Sequence, residues 1–106
     1  MAQVSQAVLE KIVQRIVAVA QPERIILFGS AARGAMGPHS DVDLLVMKSG
    51  KFDQGRLVGD IYLNLHGAGQ AVDVILVTRE QVARYRHTHC LISAPALREG
   101  KEIYHA

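Results

Sequence analysis

The chain has 106 residues, 49% of them apolar, with 12 basic and 10 acidic side chains, few aromatics and a single cysteine. That length predicts one domain over residues 1–106, with apolar surface enough for a core that needs no covalent staples. The lone Cys90 excludes an intramolecular disulfide and a multi-cysteine metal site; a net charge of +2 does not by itself imply nucleic-acid binding and the few, unclustered aromatics form no visible base-stacking platform, so no direct nucleic-acid contact is expected.

From about Val4 to Ala20, Leu9, Ile12, Val13, Ile16 and Ala20 recur at helical spacing, with Glu10, Lys11, Gln14 and Arg15 on the other side. Pro22 stops that helix. Arg24 to Phe28 is almost wholly apolar and predicts a strand buried on both faces. Gly29 and Ser30 follow at once, with Ser30 placed to cap a short helix to about Arg33. Residues 34–39 are rich in turn formers. Asp41 to Met47 predicts a second strand, and about Asp53 to Leu65 a helix, weakened by Gly55 and Gly59. Ala71 to Val77 predicts a third strand. Thr78 with Gln81 makes a capping-box pattern opening a helix to about His87. A further helical piece ends near Glu99, and Glu102 to Tyr104 adds a short edge strand. No early basic-plus-apolar stretch resembles a signal peptide and no apolar run approaches the roughly 20 residues of a membrane span, so the cytoplasm is the expected compartment.

Two carboxylates stand where an apolar strand rarely tolerates them. Asp41 and Asp43 share a face, their Cα atoms about 6.5–7 Å apart, while Val42, Leu44 and Val46 turn to the core. A divalent cation relieves the repulsion of such a pair, and an all-oxygen donor set suits Mg²⁺ or Mn²⁺. Asp73, on the third strand, joins them if that strand lies beside the second. Three carboxylates can hold two Mg²⁺ ions with positions left open for phosphates, an arrangement suited to in-line displacement at phosphorus. Gly29, Ser30 and the backbone N–H groups after them form an anion-binding nest, and Arg33 offers a forked cationic donor.

Gly-Ser-x-x-Arg-Gly from Gly29, Ser-Asp-x-Asp-Leu from Ser40 and the later Asp73 together resemble the DNA polymerase beta-like nucleotidyltransferase superfamily. The short chain, with its Ala96–Tyr104 ending, is similar to the minimal nucleotidyltransferases (MNT) that act as antitoxins beside HEPN-domain toxins. The resemblance spans essentially the whole chain. It implies an α/β (mixed α+β) fold with a small mixed sheet of three to four strands flanked by helices. It also implies metal ligation by Asp41, Asp43 and Asp73, with Asp73 helping to activate the acceptor hydroxyl. Gly29 and Ser30 would hold the β and γ phosphates of ATP. The implied reaction is transfer of AMP to a tyrosine of a HEPN ribonuclease, within a homo- or hetero-oligomer.

Other residues have plainer readings. Lys48 ends the acid-bearing strand and reads as a solvated lysine before a phosphate ligand. His87 and His89 face different ways on a helix, and Arg84 with His89 matches the HEPN Arg-x₄-His spacing by chance. His39 reads as a loop histidine and Cys90 as a packed residue; Tyr85 and Tyr104 show no catalytic pattern. Two rival functions remain: transfer to a small molecule of the aminoglycoside type, and an antitoxin that acts by binding alone. The 106 residues are expected to be filled by the nucleotide-binding core, which favours an acceptor that brings its own surface.

Overall fold

A computed structural model describes residues 5–29, 41–81 and 100–106. The elements follow the hydrophobic pattern closely. Helix α1, Gln6–Ala20, is capped by Ser5, whose hydroxyl accepts from the Val8 N–H. It ends at Gln21 in the left-handed region, with buried Pro22 next in the chain. Strand β1 is Arg24–Phe28 and strand β2 is Val42–Met47. Helix α2, Gln54–Leu65, forms despite Gly55 and Gly59 because Asp53 caps it and Ile61 and Leu65 anchor it in the core. Strand β3 is Val72–Val77, and strand β4, Lys101–His105, is a residue longer at each end than expected. The capping box is made in both directions: the Gln81 N–H donates to Thr78 Oγ1 and the Thr78 N–H to Gln81 Oε1.

The four strands form one mixed sheet in the order β3-β2-β1-β4. β1 runs antiparallel to both β2 and β4, whereas β2 and β3 are parallel, which requires a crossover, here α2. One face of the sheet packs against α1 and α2 through Ile12, Ile16, Ile25, Leu44, Val46 and Ile61, all fully buried. Each such side chain contributes about 1.5–3 kcal/mol relative to exposure. The opposite face buries Ile26, Leu45, Met47 and Val77, with Phe28 and Ile75 packed against them. Burial on both faces is what the continuous apolar runs of β1 and β2 predict.

Side chains tie the helices together at one end. Arg15 donates from Nη1 to the carbonyl oxygens of Asn64 and His66, and Asn64 Nδ2 returns a bond to the Arg15 carbonyl. A cation on the last carbonyls of α2 also complements its dipole. Among the described residues no helix is long and apolar enough to cross a membrane. The capping serine expected at position 30, the 34–39 turn and the pieces between Val82 and Glu99 lie outside the described residues.

Candidate active site

The parallel register sets Asp43 directly beside Asp73 and pairs Val42 with Val72. Adjacent strands lie about 4.8 Å apart, so the two carboxylates leave neighbouring backbones on the same face. Across the antiparallel ladder, Asp43 is paired with Phe28. The carboxylate thus sits between an aromatic ring on one strand and a second carboxylate on the other. Asp41, immediately before β2, is exposed, Asp43 is half-buried and Asp73 is exposed.

Asp43 is held above the ordinary carboxylate value of 3.8, first by burial, then by the negative charge of Asp73 and then by that of Asp41. The register thus brings Asp43 and Asp73 together, and Asp41 is near enough for its charge to bear on Asp43. Among the described residues, however, no three acidic, histidine or cysteine side chains are drawn together closely enough to enclose a metal ion. The aspartates line an open patch instead of a cage. That suits Mg²⁺, which keeps several waters and takes one or two carboxylates together with substrate phosphates. Half-burial of an acid beside two others, with oxygen donors throughout, fits a hard divalent cation held between protein and nucleotide.

Gly29 shapes the same patch from the end of β1. Its φ is +71°, in the left-handed region, and a methyl group built on its Cα would collide with Asp43 Oδ2. Only glycine lets the backbone come this near the carboxylate. A phosphate bound at the Gly29 backbone would therefore lie next to this carboxylate. Ser30 and Arg33, the other two expected phosphate contacts, lie outside the described residues, as do His39, Arg84, Tyr85, His87, His89 and Cys90.

Lys48 stands apart from this site. Its Nζ donates to the Gln21 carbonyl at 3.5 Å and lies 5.8 Å from the centre of the Phe52 ring. It follows the far end of β2, five residues or about 16 Å from Asp43. Tyr104 packs against the main core. An open apolar groove of about 730 Å³, lined by Leu9, Val13, Val17, Ile103 and others, runs between α1 and β4, away from the aspartate patch.

One neighbour of the acids was not foreseen. Tyr62, on α2, places its hydroxyl 3.3 Å from Asp73 Oδ1 and 2.8 Å from the Val74 nitrogen. In the sequence it stands at the flank of the apolar stripe made by Leu57, Val58, Ile61 and Leu65, and nothing in its spacing links it to Asp73.

A family model described as nucleotidyltransferase domain matches residues 7–97. The chain is similar in fold to a candidate nucleotidyltransferase from Sulfolobus solfataricus, with 19% identity and a TM-score of 0.63, over 93% of this chain and 78% of that one. It is also similar to a chain of a toxin–antitoxin structure containing AMP-PNP, with 22% identity and a TM-score of 0.58, over 92% and 73% of the respective chains. At such identities the two likenesses establish a shared fold. No curated protein sequence matches.

Proposed function

The chain belongs to the nucleotidyltransferase domain family, and from that premise we propose that it is a Mg²⁺-dependent adenylyltransferase antitoxin whose acceptor is a tyrosine hydroxyl of a cognate HEPN ribonuclease. The observation that carries the catalytic part is the placement of Asp43 beside Asp73, with Asp41 bearing on the same carboxylate. The antitoxin part rests on the resemblance to the minimal nucleotidyltransferases and on the toxin–antitoxin neighbour with its bound ATP analogue.

In this reading Asp41, Asp43 and Asp73 hold the divalent ions, which supply charge neutralisation at the phosphates and a polarised acceptor oxygen. Gly29 and Ser30 grip the β and γ phosphates through backbone N–H groups, and Arg33 adds a guanidinium. Asp73 takes the acceptor proton. The acceptor oxygen bonds to the α-phosphorus, the α–β bridge breaks, and pyrophosphate leaves in line with the attack. The sheet sets the backbones of Asp43 and Asp73 side by side before substrate arrives, so only their side chains have to adjust in the reacting complex.

The test is incubation with the candidate toxin, ATP and Mg²⁺, followed by intact mass of both proteins. The toxin is expected to gain adenylyl mass and lose ribonuclease activity, and the Asp41→Asn/Asp43→Asn variant is expected to do neither. Full neutralisation by that variant would make binding alone the mechanism. Adenylylation of an aminoglycoside, with the toxin unmodified, would select the small-molecule reading.

A further inference from the structure

We propose that Tyr62 is the positioning residue for Asp73, holding one carboxylate oxygen so that the other is presented to the cation and the acceptor. This rests on the reading of Asp73 as a metal-binding carboxylate.

The argument begins with strand parity. Val42 donates its N–H to the Ala71 carbonyl and Lys48 donates to the Val77 carbonyl, so odd-numbered residues of β3 turn their backbone groups to β2. The even-numbered ones turn outward, and β3 is the terminal strand of the sheet among the described residues. Val74 and Leu76 would therefore offer bare edge groups. Two side chains of α2 meet them: Gln54 Nε2 donates to the Leu76 carbonyl, and the Tyr62 hydroxyl meets the Val74 N–H.

Proton bookkeeping at Tyr62 then fixes the direction of its second bond. A backbone N–H can only donate, so the hydroxyl accepts from Val74 at 2.8 Å. Its one proton is left for Asp73 Oδ1, 3.3 Å away. That contact is long for an O–H···O bond, as hydrogen bonds at catalytic groups often are before substrate binds. The anchoring bond to the backbone is the shorter of the two, so the hydroxyl is fixed by the strand and the carboxylate is fixed by the hydroxyl.

Such a device is needed here because Asp73 is exposed, lies on a terminal strand and faces the like charge of Asp43. Repulsion favours rotamers that swing Asp73 away from the patch. A neutral donor attached to the same strand opposes that swing without adding a charge. Partners of this kind orient metal ligands, and their removal commonly costs about ten-fold or more in metal affinity.

The experiment measures Mn²⁺ binding by electron paramagnetic resonance, with a non-hydrolysable ATP analogue present, in wild type, Tyr62→Phe and Asp73→Asn. Tyr62→Phe keeps the ring and removes the donor, and is expected to weaken Mn²⁺ binding roughly ten-fold. Full Mn²⁺ affinity in Tyr62→Phe, whatever its melting temperature, overturns the role while the metal site stands if Asp73→Asn binds poorly. Equal binding by wild type and Asp73→Asn overturns the metal-site reading and the Tyr62 role with it. A measurement on the unmodified chain is independent of how any variant folds: substoichiometric Mn²⁺ is expected to broaden the Tyr62 ring signals and leave those of Tyr104 sharp. Broadening of Tyr104 first, or adenylylation of Tyr62 itself on incubation with ATP, also overturns the proposal.

Discussion

Gly29 and Asp43 approach so closely that a single methyl group on the glycine would occupy the space of the carboxylate oxygen Oδ2. Gly29→Ala therefore meets two penalties: a positive φ of 71°, costing about 1–2 kcal/mol for a residue with a Cβ, and displacement of Asp43. The variant is expected to be less stable in urea and to lose Mg²⁺-dependent activity by roughly ten-fold or more. A double-mutant cycle with Asp43→Ala separates the penalties. Asp43 Cβ would stand at an ordinary 3.5 Å from the new methyl, so the double variant should be less destabilised than the sum of the singles. Strict additivity would mean that the collision is relieved elsewhere.

Asp43 is expected to make the protein, in the absence of a divalent cation, less stable as pH rises. Its carboxyl is held above 3.8 by burial and by its two acidic neighbours. Between 3.8 and that raised value the folded chain binds more protons than the unfolded one, so stability falls as pH rises through the window and stays lower above it. In EDTA at neutral pH, Asp43→Asn is expected to melt higher than wild type. The gain should stay below about 1 kcal/mol because water screens a half-exposed acid, and it should shrink as pH falls towards 3.8. Urea midpoints across that range provide the check; a variant less stable than wild type at pH 7 would contradict the sign.

The acids were legible in the sequence because a strand has a period of two: carboxylates at 43 and 73 break apolar runs that are otherwise continuous, and Asp41 stands two residues before Asp43. The same periodicity placed Leu44 and Val46 in the core, and the unbroken apolar run that ends at Gly29 gave the bounds of β1. Adjacency of β2 and β3 was a condition the sequence left open, since pairing of strands that far apart is settled by how α2 crosses the sheet. The open form of the aspartate patch, without a closed three-residue cluster among the described residues, was likewise not readable from spacing. Tyr62 was missed for a related reason. Its contact with Asp73 bends around a sheet edge, and helical periodicity marks only which residues face the core.

Gly59, one turn before Tyr62, offers a stability gain because a methyl added there would touch none of these contacts. It lies inside α2, and a Cβ built on it meets nothing within 4 Å. Alanine there is expected to add about 0.5–1 kcal/mol by lowering the backbone freedom of the unfolded chain, seen as a higher melting temperature. Mn²⁺ affinity and transfer activity should be unchanged. A loss of either would show that α2 must flex at this point for the site to work.

Lys48 provides the contrasting control, because its sequence position after the acid-bearing strand invites a phosphate role that its contacts do not support. Its ammonium is engaged by the Gln21 carbonyl at the end of α1 and lies over the Phe52 ring. Both contacts are at the end of β2 remote from Asp43, about 16 Å along the strand. Lys48→Met keeps the aliphatic stem against Phe52 and removes the charge. It is expected to cost about 0.5–1 kcal/mol of stability through the lost cation–π and carbonyl contacts, with KM for ATP and kcat both at wild-type values. An increase in KM for ATP without a change in melting temperature would place this lysine at the triphosphate and require the nucleotide to extend along β2, away from Gly29.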